Sequence, residues 1–544
     1  MKVLLQQKLR EALNDLQETG ILPVFDVPDI HVERPKDDQF GEYTSHIALV
    51  ASKPCGRNPH EIAEALKERM ITCEPGLFEK IEVAGPGHLN FFLSQRVLGD
   101  IVDAIARQGS RYGSGKIGEG KRIDNEFVSA NPTGPLHLGN ARGGFFGDAL
   151  SRVLRKAGFE VVNEYYVNDA GEQVLKLGHS VLKDSEAVYG GSYIEALHER
   201  FVIDIKTSVD IRMIGEKAAA AVLEEYIKPT LSDKMHIAYD IFISERDDII
   251  RQGFVDKAIE WLNSKELTYE QEGALWLRTT DFGDDKDRVL MKSDGSRTYF
   301  ASDCGYLLNK MERHGSNGHD GFDTLVLTLG ADHHGYTARL RAAAQALGFT
   351  GEFRFVLVQL VRLVKDGKEV RMSKRAGNVV TVDELIERVG HDVARFFFLM
   401  YSPDTHMNFD LGLAEERSQK NPVFYVQYAH ARMASVLRKA EDEGYDYTGA
   451  DASLLVNDKE RELIRELMAF PEVIESVAEE YSVHKLPQYA IRLSDRLHSF
   501  YDACRVLDPE NKPLSSSRLM LVHAVKSVLG ETLALIGVDA PEKM

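Results

Sequence analysis

Residues 129–140 read Ser129-Ala130-Asn131-Pro132-Thr133-Gly134-Pro135-Leu136-His137-Leu138-Gly139-Asn140, and what flanks them decides the fold. Residues 123–128 alternate as a strand does. Helical periodicity then runs from Leu138 to Lys156 and stops at Gly158, and residues 161–167 form the next strand. Strand, Pro/Gly-rich loop, helix, strand is the βαβ unit of a parallel sheet. A loop at that junction offers backbone N–H groups and a helix N-terminus to an anion. Gly134 and Gly139 allow backbone and ligand to approach closely, and His137 can donate to a phosphoryl oxygen. The spacing is neither GxGxxG nor a P-loop, which counts against both of those nucleotide sites.

About 240 residues further on, Arg371-Met372-Ser373-Lys374-Arg375-Ala376-Gly377-Asn378 forms a basic, Gly-ended loop. Such a loop can close over a triphosphate and neutralise charge developing on pyrophosphate. A second α/β stretch opens near Asp323, where residues 325–329 lead into Gly330-Ala331-Asp332. The 150 or so residues between the two stretches read as an insertion joining two halves of one sheet, placed at about 180–285. Ahead of them, residues 1–112 mix a helical start, a helix from Pro59 to Met70 and a strand at 88–93, giving an α+β unit that ends in a Gly/Ser-rich turn at 113–120. From Glu384 nearly everything has helical periodicity. The expected fold class is multidomain α/β. It comprises an N-terminal α+β domain (1–112), a Rossmann-type parallel-sheet catalytic domain split by an insertion (113–390), and a C-terminal all-α bundle (391–544).

Composition fits this outline. A chain of 544 residues exceeds one hydrophobic core, and 43% hydrophobic with 28% charged residues excludes wholesale disorder. The net charge of −19 argues against indiscriminate coating of nucleic acid, but a local basic patch can still bind one RNA by shape. No uninterrupted apolar run approaches the roughly 20 residues that span a bilayer, so no membrane partner is expected. Glu11, Asp15 and Glu18 close to the N-terminus do not suit an import signal, which leaves a cytoplasmic protein as the expectation. Cys55, Cys73, Cys304 and Cys504 form no Cys-x-x-Cys pair, and Asp332-His333-His334 has no further ligand at metal spacing, so no protein-caged metal is expected.

Taken together, the two loops resemble the HIGH and KMSKS signatures of class I aminoacyl-tRNA synthetases, here His137-Leu138-Gly139-Asn140 and Arg371-Met372-Ser373-Lys374-Arg375. Asn140 replaces the second His and Arg375 the last Ser, while Lys374 is retained. Residues 129–137, Tyr166-Val167-Asn168-Asp169-Ala170-Gly171, Gly330-Ala331-Asp332-His333-His334-Gly335-Tyr336 and residues 421–432 all resemble arginyl-tRNA synthetases. The likeness runs from about residue 20 to Met544 and is least distinctive between 180 and 260.

That resemblance implies adenylate formation by in-line attack of an amino-acid carboxylate on the α-phosphate of ATP, followed by transfer to tRNA. It further implies that activation waits for tRNA. The chemistry calls for positioning and charge stabilisation rather than a covalent nucleophile. Catalysis is assigned to His137, Asn140 and Lys374, and ATP binding to Pro132, Thr133, Gly134, His137, Gly139, Asn140, Met372, Ser373 and Lys374. Mg²⁺ is expected to arrive on the ATP.

For L-arginine, Tyr299 and Asp303 stand four residues apart, on one face if helical. The family's matching Tyr and Asp hold the guanidinium. Asn131 is expected near the substrate's backbone groups, with Asp332 and His333 lining the pocket. A site of this kind rejects analogues by unpaired acceptors, so no editing domain is expected. Asp392-Val393-Ala394-Arg395 resembles the motif that names the DALR anticodon-binding domain. Tyr425, Tyr428, His430 and Arg432 are the candidate tRNA contacts, because unstacked bases sit on aromatic and Arg planes. The N-terminal unit resembles the family's additional domain, which implies contact with the tRNA elbow, and a monomer is expected. Two other readings were weighed: a small-molecule nucleotidyltransferase with a His-x-Gly-x loop, and an inactive tRNA-binding paralogue. The first does not need an all-α tail, and the second does not need His137, Lys374, Tyr299 and Asp303 together.

Overall fold

The computed structural model describes residues 1–202, 210–313, 321–370 and 380–544, leaving aside the side chains of Asp38, Val202, His333 and His334. The N-terminal unit packs helices Lys2–Glu18, Ile47–Cys55 and Pro59–Cys73 with a three-stranded antiparallel sheet in the order Tyr43–Ser45, His88–Leu93, Phe78–Ala84. Leu5, Leu9, Leu13 and Leu16 recur at helical spacing and are all buried. Asn58 accepts the His60 N–H at 2.9 Å and Pro59 takes the first helical position, which fixes where the third helix starts.

The central sheet holds β1 (Arg122–Glu126), β2 (Glu160–Val167), β3 (Ile241–Ser244), β4 (Thr324–Gly330) and β5 (Glu352–Val358), with α1 (Leu138–Lys156), α2 (Tyr299–Glu312) and α3 (Thr337–Ala346) among its helices. All neighbouring strands are parallel and the order is β5-β4-β1-β2-β3. The chain builds outward from β1 in one direction and then, from β4, in the other. Crevices of such sheets open at that reversal, beyond the carboxyl ends of the strands. Helix α1 has the bounds its periodicity predicts. Gly147 within it lies against the Phe127 ring, where an added Cβ would come within 2.2 Å of the ring.

Two short strands depart from the sequence reading. β3 lies inside the expected insertion at 180–285 and completes the main sheet, so that insertion is interrupted rather than continuous. Met407–Asp410 lies in the stretch expected to be helical and pairs in parallel with Val361–Lys365. Four residues are too few for a period of two to stand out against helical neighbours.

Downstream come α4 (His391–Leu399), α5 (Pro422–Asp442), α6 (Asp458–Glu480), α7 (Lys485–Ala503) and α8 (Lys512–Ile536). Arg395 of the Asp392–Arg395 motif is fully buried and ion-paired with Asp148 of α1, so α4 packs on the catalytic sheet's first helix. Helix α8, with 25 residues, is long and apolar enough to cross a membrane, although Arg518, Lys526 and Glu531 interrupt its apolar sequence. In the structure it is the core of the bundle, packed against Gln95–Gln108, α5 and α7.

Candidate active site

A cleft of about 1490 Å³ opens at the reversal between β1 and β4. One wall is the loop after β1. Val128 and Ser129 there take positive φ angles of 68° and 38°, costly for a β-branched residue, and turn the chain sharply out of the sheet. The Ser129 hydroxyl accepts the Tyr166 N–H at 3.0 Å and donates to Glu126 at 3.1 Å, which holds the reversal. Asn131, Thr133, Gly134, His137, Gly139 and Asn140 then line the cleft, while Pro132 is buried and does not. The Asn140 side-chain oxygen accepts the His137 backbone N–H at 3.0 Å, so Asn140 helps fix the loop-to-helix junction. Desolvation lowers the His137 pKa, favouring the neutral ring as a phosphate donor. Met372, Ser373 and Lys374 lie outside the described residues, and Thr381, just beyond them, bridges back to His137 and lines the same wall.

The other end of the cleft is acidic. Thr298 caps α2, accepting the Ala301 N–H, and this start places Tyr299 and Asp303 one turn apart, both lining the cleft. Tyr299 is 64% exposed, at the mouth rather than the floor. Burial pushes the Asp303 carboxyl up to about 7, against the hydrogen bond from the Tyr336 hydroxyl and the nearby Arg339 guanidinium. Asp332 also lines the cleft. The side chain of His333 lies outside the described residues.

Below the floor, β1 and β2 carry Asp124, Glu126 and Glu164, all buried. Lys310 of α2 reaches all three at 3.1, 2.9 and 2.6 Å, and Arg313 pairs with Asp124 and Glu164. Burial alone would raise Glu164, but Lys310 and Arg313 hold it down at about 2. The Tyr306 hydroxyl donates to Glu126 at 2.8 Å. Burial and the neighbouring Glu164 push the Asp124 carboxyl up to about 7, so the two cations are nearly balanced by the floor's acids, and Glu126 is the floor carboxylate that acts on Asp303.

Comparison with known proteins matches this architecture domain by domain. The family model for the class I (R) tRNA synthetase catalytic domain matches residues 101–395. The arginyl tRNA synthetase N terminal domain matches 4–93, and the DALR anticodon binding domain matches 426–544. An arginine–tRNA ligase of Anoxybacillus flavithermus is 41% identical over 562 aligned residues, covering 99% of each chain. One of Bacillus subtilis is 40% identical, covering 100% of this chain and 99% of its own. This chain belongs to the arginyl-tRNA synthetase family. The arginyl-tRNA synthetase of Thermus thermophilus, 24% identical, shares the fold over 100% of both chains with a TM-score of 0.74. The DALR match starts at residue 426, downstream of the Asp392–Arg395 motif, which falls at the end of the catalytic match.

In this synthetase the tRNA candidates do not all come together. Tyr425 donates to Asp495 at 2.6 Å and its ring lies 5.1 Å from that of His498, while Tyr428, 38% exposed, stacks on the same His498 ring at 6.4 Å. The Arg432 guanidinium sits 4.5 Å above the Tyr501 ring. His430 is buried, its Nδ1 2.9 Å from the Pro541 carbonyl, and so packs the bundle instead of joining that face.

Sequence reasoning missed Glu126, Glu245, Tyr336 and Arg339, which all line the cleft. An acid in a buried parallel strand was the available signal for Glu126. Tyr336 stood in a quoted motif without a role. Glu245 opens a π-helical turn, Glu245–Ile250, in the least distinctive part of the chain, where no periodicity pointed to it.

Proposed function

We propose that the protein is an arginine–tRNA ligase, which condenses L-arginine with ATP to arginyl-adenylate and pyrophosphate and then esterifies the 3′ end of its tRNA. The observation that carries this reading is one cleft joining a phosphate-binding loop to an acid-lined end. The Thr133–Asn140 wall offers N–H donors, an imidazole and an amide to the triphosphate, and Asp303 with Glu126 and Glu245 at the other end suits a guanidinium. A wall of N–H donors without carboxylates suits Mg²⁺ held by the phosphates rather than by the protein. Lys374 is proposed to meet the charge that develops on the leaving pyrophosphate, and His137 to donate to a phosphoryl oxygen. Tyr425, Tyr428 and Arg432, on one face of α5, are proposed to meet anticodon bases, and the N-terminal unit to meet the tRNA elbow. A cytoplasmic monomer without a membrane partner completes the proposal.

Neither competing reading gains an observation. The match extends over both tRNA-associated domains, which a small-molecule nucleotidyltransferase does not need, and the cleft's ATP and arginine ends are both furnished, which a dead paralogue does not need. The test is charging of total tRNA with each labelled amino acid in turn. Ester formation with arginine alone is expected, and His137→Ala should lower turnover by about 10²–10³-fold. Charging with a different amino acid would keep the class and overturn the pocket assignment.

A further inference from the structure

We infer that Tyr336 and Arg339 are positioning residues that aim Asp303 into the cleft and keep it charged, so that the pocket takes a cationic guanidinium in preference to a neutral isostere. The inference rests on the arginine reading of the cleft and assigns that selectivity to two residues outside the sequence motifs' predicted roles.

The geometry is a stack of three groups. The Tyr336 hydroxyl donates to Oδ2 of Asp303, and among the described residues Oδ1 takes no hydrogen bond. A carboxylate with one oxygen pinned presents the other in a fixed plane, which the planar fork of a guanidinium needs. The Arg339 guanidinium lies 3.6 Å from the centroid of the Tyr336 ring. Among the described residues it makes no hydrogen bond or ion pair, and its Nε is buried without a partner. Such a group is costly to bury unless it does something else. Here it clamps the ring that pins Asp303 and brings a positive charge close enough to favour the ionised carboxylate.

The charge balance at Asp303 shows why a clamp is needed. Glu126 from β1, Glu245 from the turn after β3, Tyr166 from β2 and Cys304 on its own helix all face it, and burial adds to the repulsion of the two glutamates. Tyr336 and Arg339, from the turn before α3 and from α3 itself, act the other way. Without them the carboxyl would stay protonated further up the pH scale. A protonated acid could then hydrogen-bond a neutral urea such as that of citrulline, and the advantage of the cation would shrink.

The experiment is tRNA charging by the full chain carrying Tyr336→Phe, Arg339→Gln or Arg339→Lys, from about pH 6 to about pH 9, with kcat/KM for arginine, KM for ATP and inhibition by citrulline as readouts. The acid limb of kcat/KM for arginine should move up by about one pH unit in Tyr336→Phe and Arg339→Gln, a loss of about tenfold at the acid end that shrinks toward pH 9. KM for ATP should stay within about twofold. Citrulline should inhibit more strongly relative to arginine, and Arg339→Lys should restore part of the limb because it keeps the charge. A loss equal at every pH, a parallel rise in KM for ATP, or an unmoved limb in both Arg339 variants would overturn the inference. Failure of the unmodified protein to charge arginine would remove the underlying reading, and the inference with it.

Discussion

At the scale of single residues, Asp303 makes the cleft's demand on pH explicit. Burial raises its carboxyl to about 7, and a guanidinium binds only the ionised form. The free enzyme's group governs kcat/KM, so in the unmodified protein kcat/KM for arginine should fall by about tenfold per unit as pH drops below about 7, while binding of ATP alone falls less. Asp303→Asn should flatten that acid limb and raise KM for arginine by about 10²–10³-fold, since the guanidinium would meet an amide that cannot balance its charge. An acid limb that persists in Asp303→Asn would show that another group controls it. Asp303 was legible only through the family resemblance, since an acid one turn from Tyr299 reads by itself as a helix cap or a surface acid. Its two supports were not legible: Tyr336 and Arg339 reach it from beyond residues 314–320, and no local spacing signals a pairing across sheet and helix. Glu245 was hidden for a different reason, in a π-helical turn whose periodicity matches neither template.

The secondary-structure elements are tied together by the same charges that shape the floor. Helix α2 docks on β1 and β2 through Lys310 and Arg313 against Asp124, Glu126 and Glu164, an arrangement unlike the apolar strands usual in a parallel sheet. Removing one partner of such a set leaves buried charge uncompensated. Lys310→Met should therefore destabilise the protein by about 3–5 kcal/mol, read as a drop in the first denaturant midpoint. A shift of only a few tenths would mean that water already reaches these carboxylates. This polarity also marks the limit of sequence reading for elements. Helix α1 was legible to the residue, since a Pro/Gly loop opens it and Gly158 closes it. β3 and Met407–Asp410 were not, because at four residues each is fixed by the neighbour it pairs with: β2 in one case and Val361–Lys365 in the other.

At the scale of the whole molecule, the N-terminal unit is locked to the helical bundle by a half-buried knot. Arg34 reaches Glu472 at 2.9 Å and the Arg465 carbonyl at 3.0 Å, and Tyr43 donates to Glu472 at 2.5 Å. Arg465 in turn pairs at 2.6 Å with Glu42, whose other oxygen accepts the Leu93 N–H at 2.6 Å. The knot joins the two regions whose family models are the N-terminal and anticodon-binding domains, and it lies far along the chain from the cleft residues. With a net charge of −19, the protein repels a polyanion at long range, so tRNA must be held by a few basic and aromatic contacts in fixed register. Loosening the register should then weaken tRNA binding without touching small substrates. Glu472→Ala, which leaves Arg34 and Tyr43 without their shared acceptor, should raise KM for tRNA by about tenfold and leave KM for ATP and arginine within about twofold. Deleting residues 1–93 should raise KM for tRNA further, while retaining the Gln95–Gln108 helix that packs on α8. Unchanged tRNA kinetics in the deletion would refute an elbow contact. A rise in the deletion but not in Glu472→Ala would place the contact in the N-terminal unit and assign its orientation to something other than the knot.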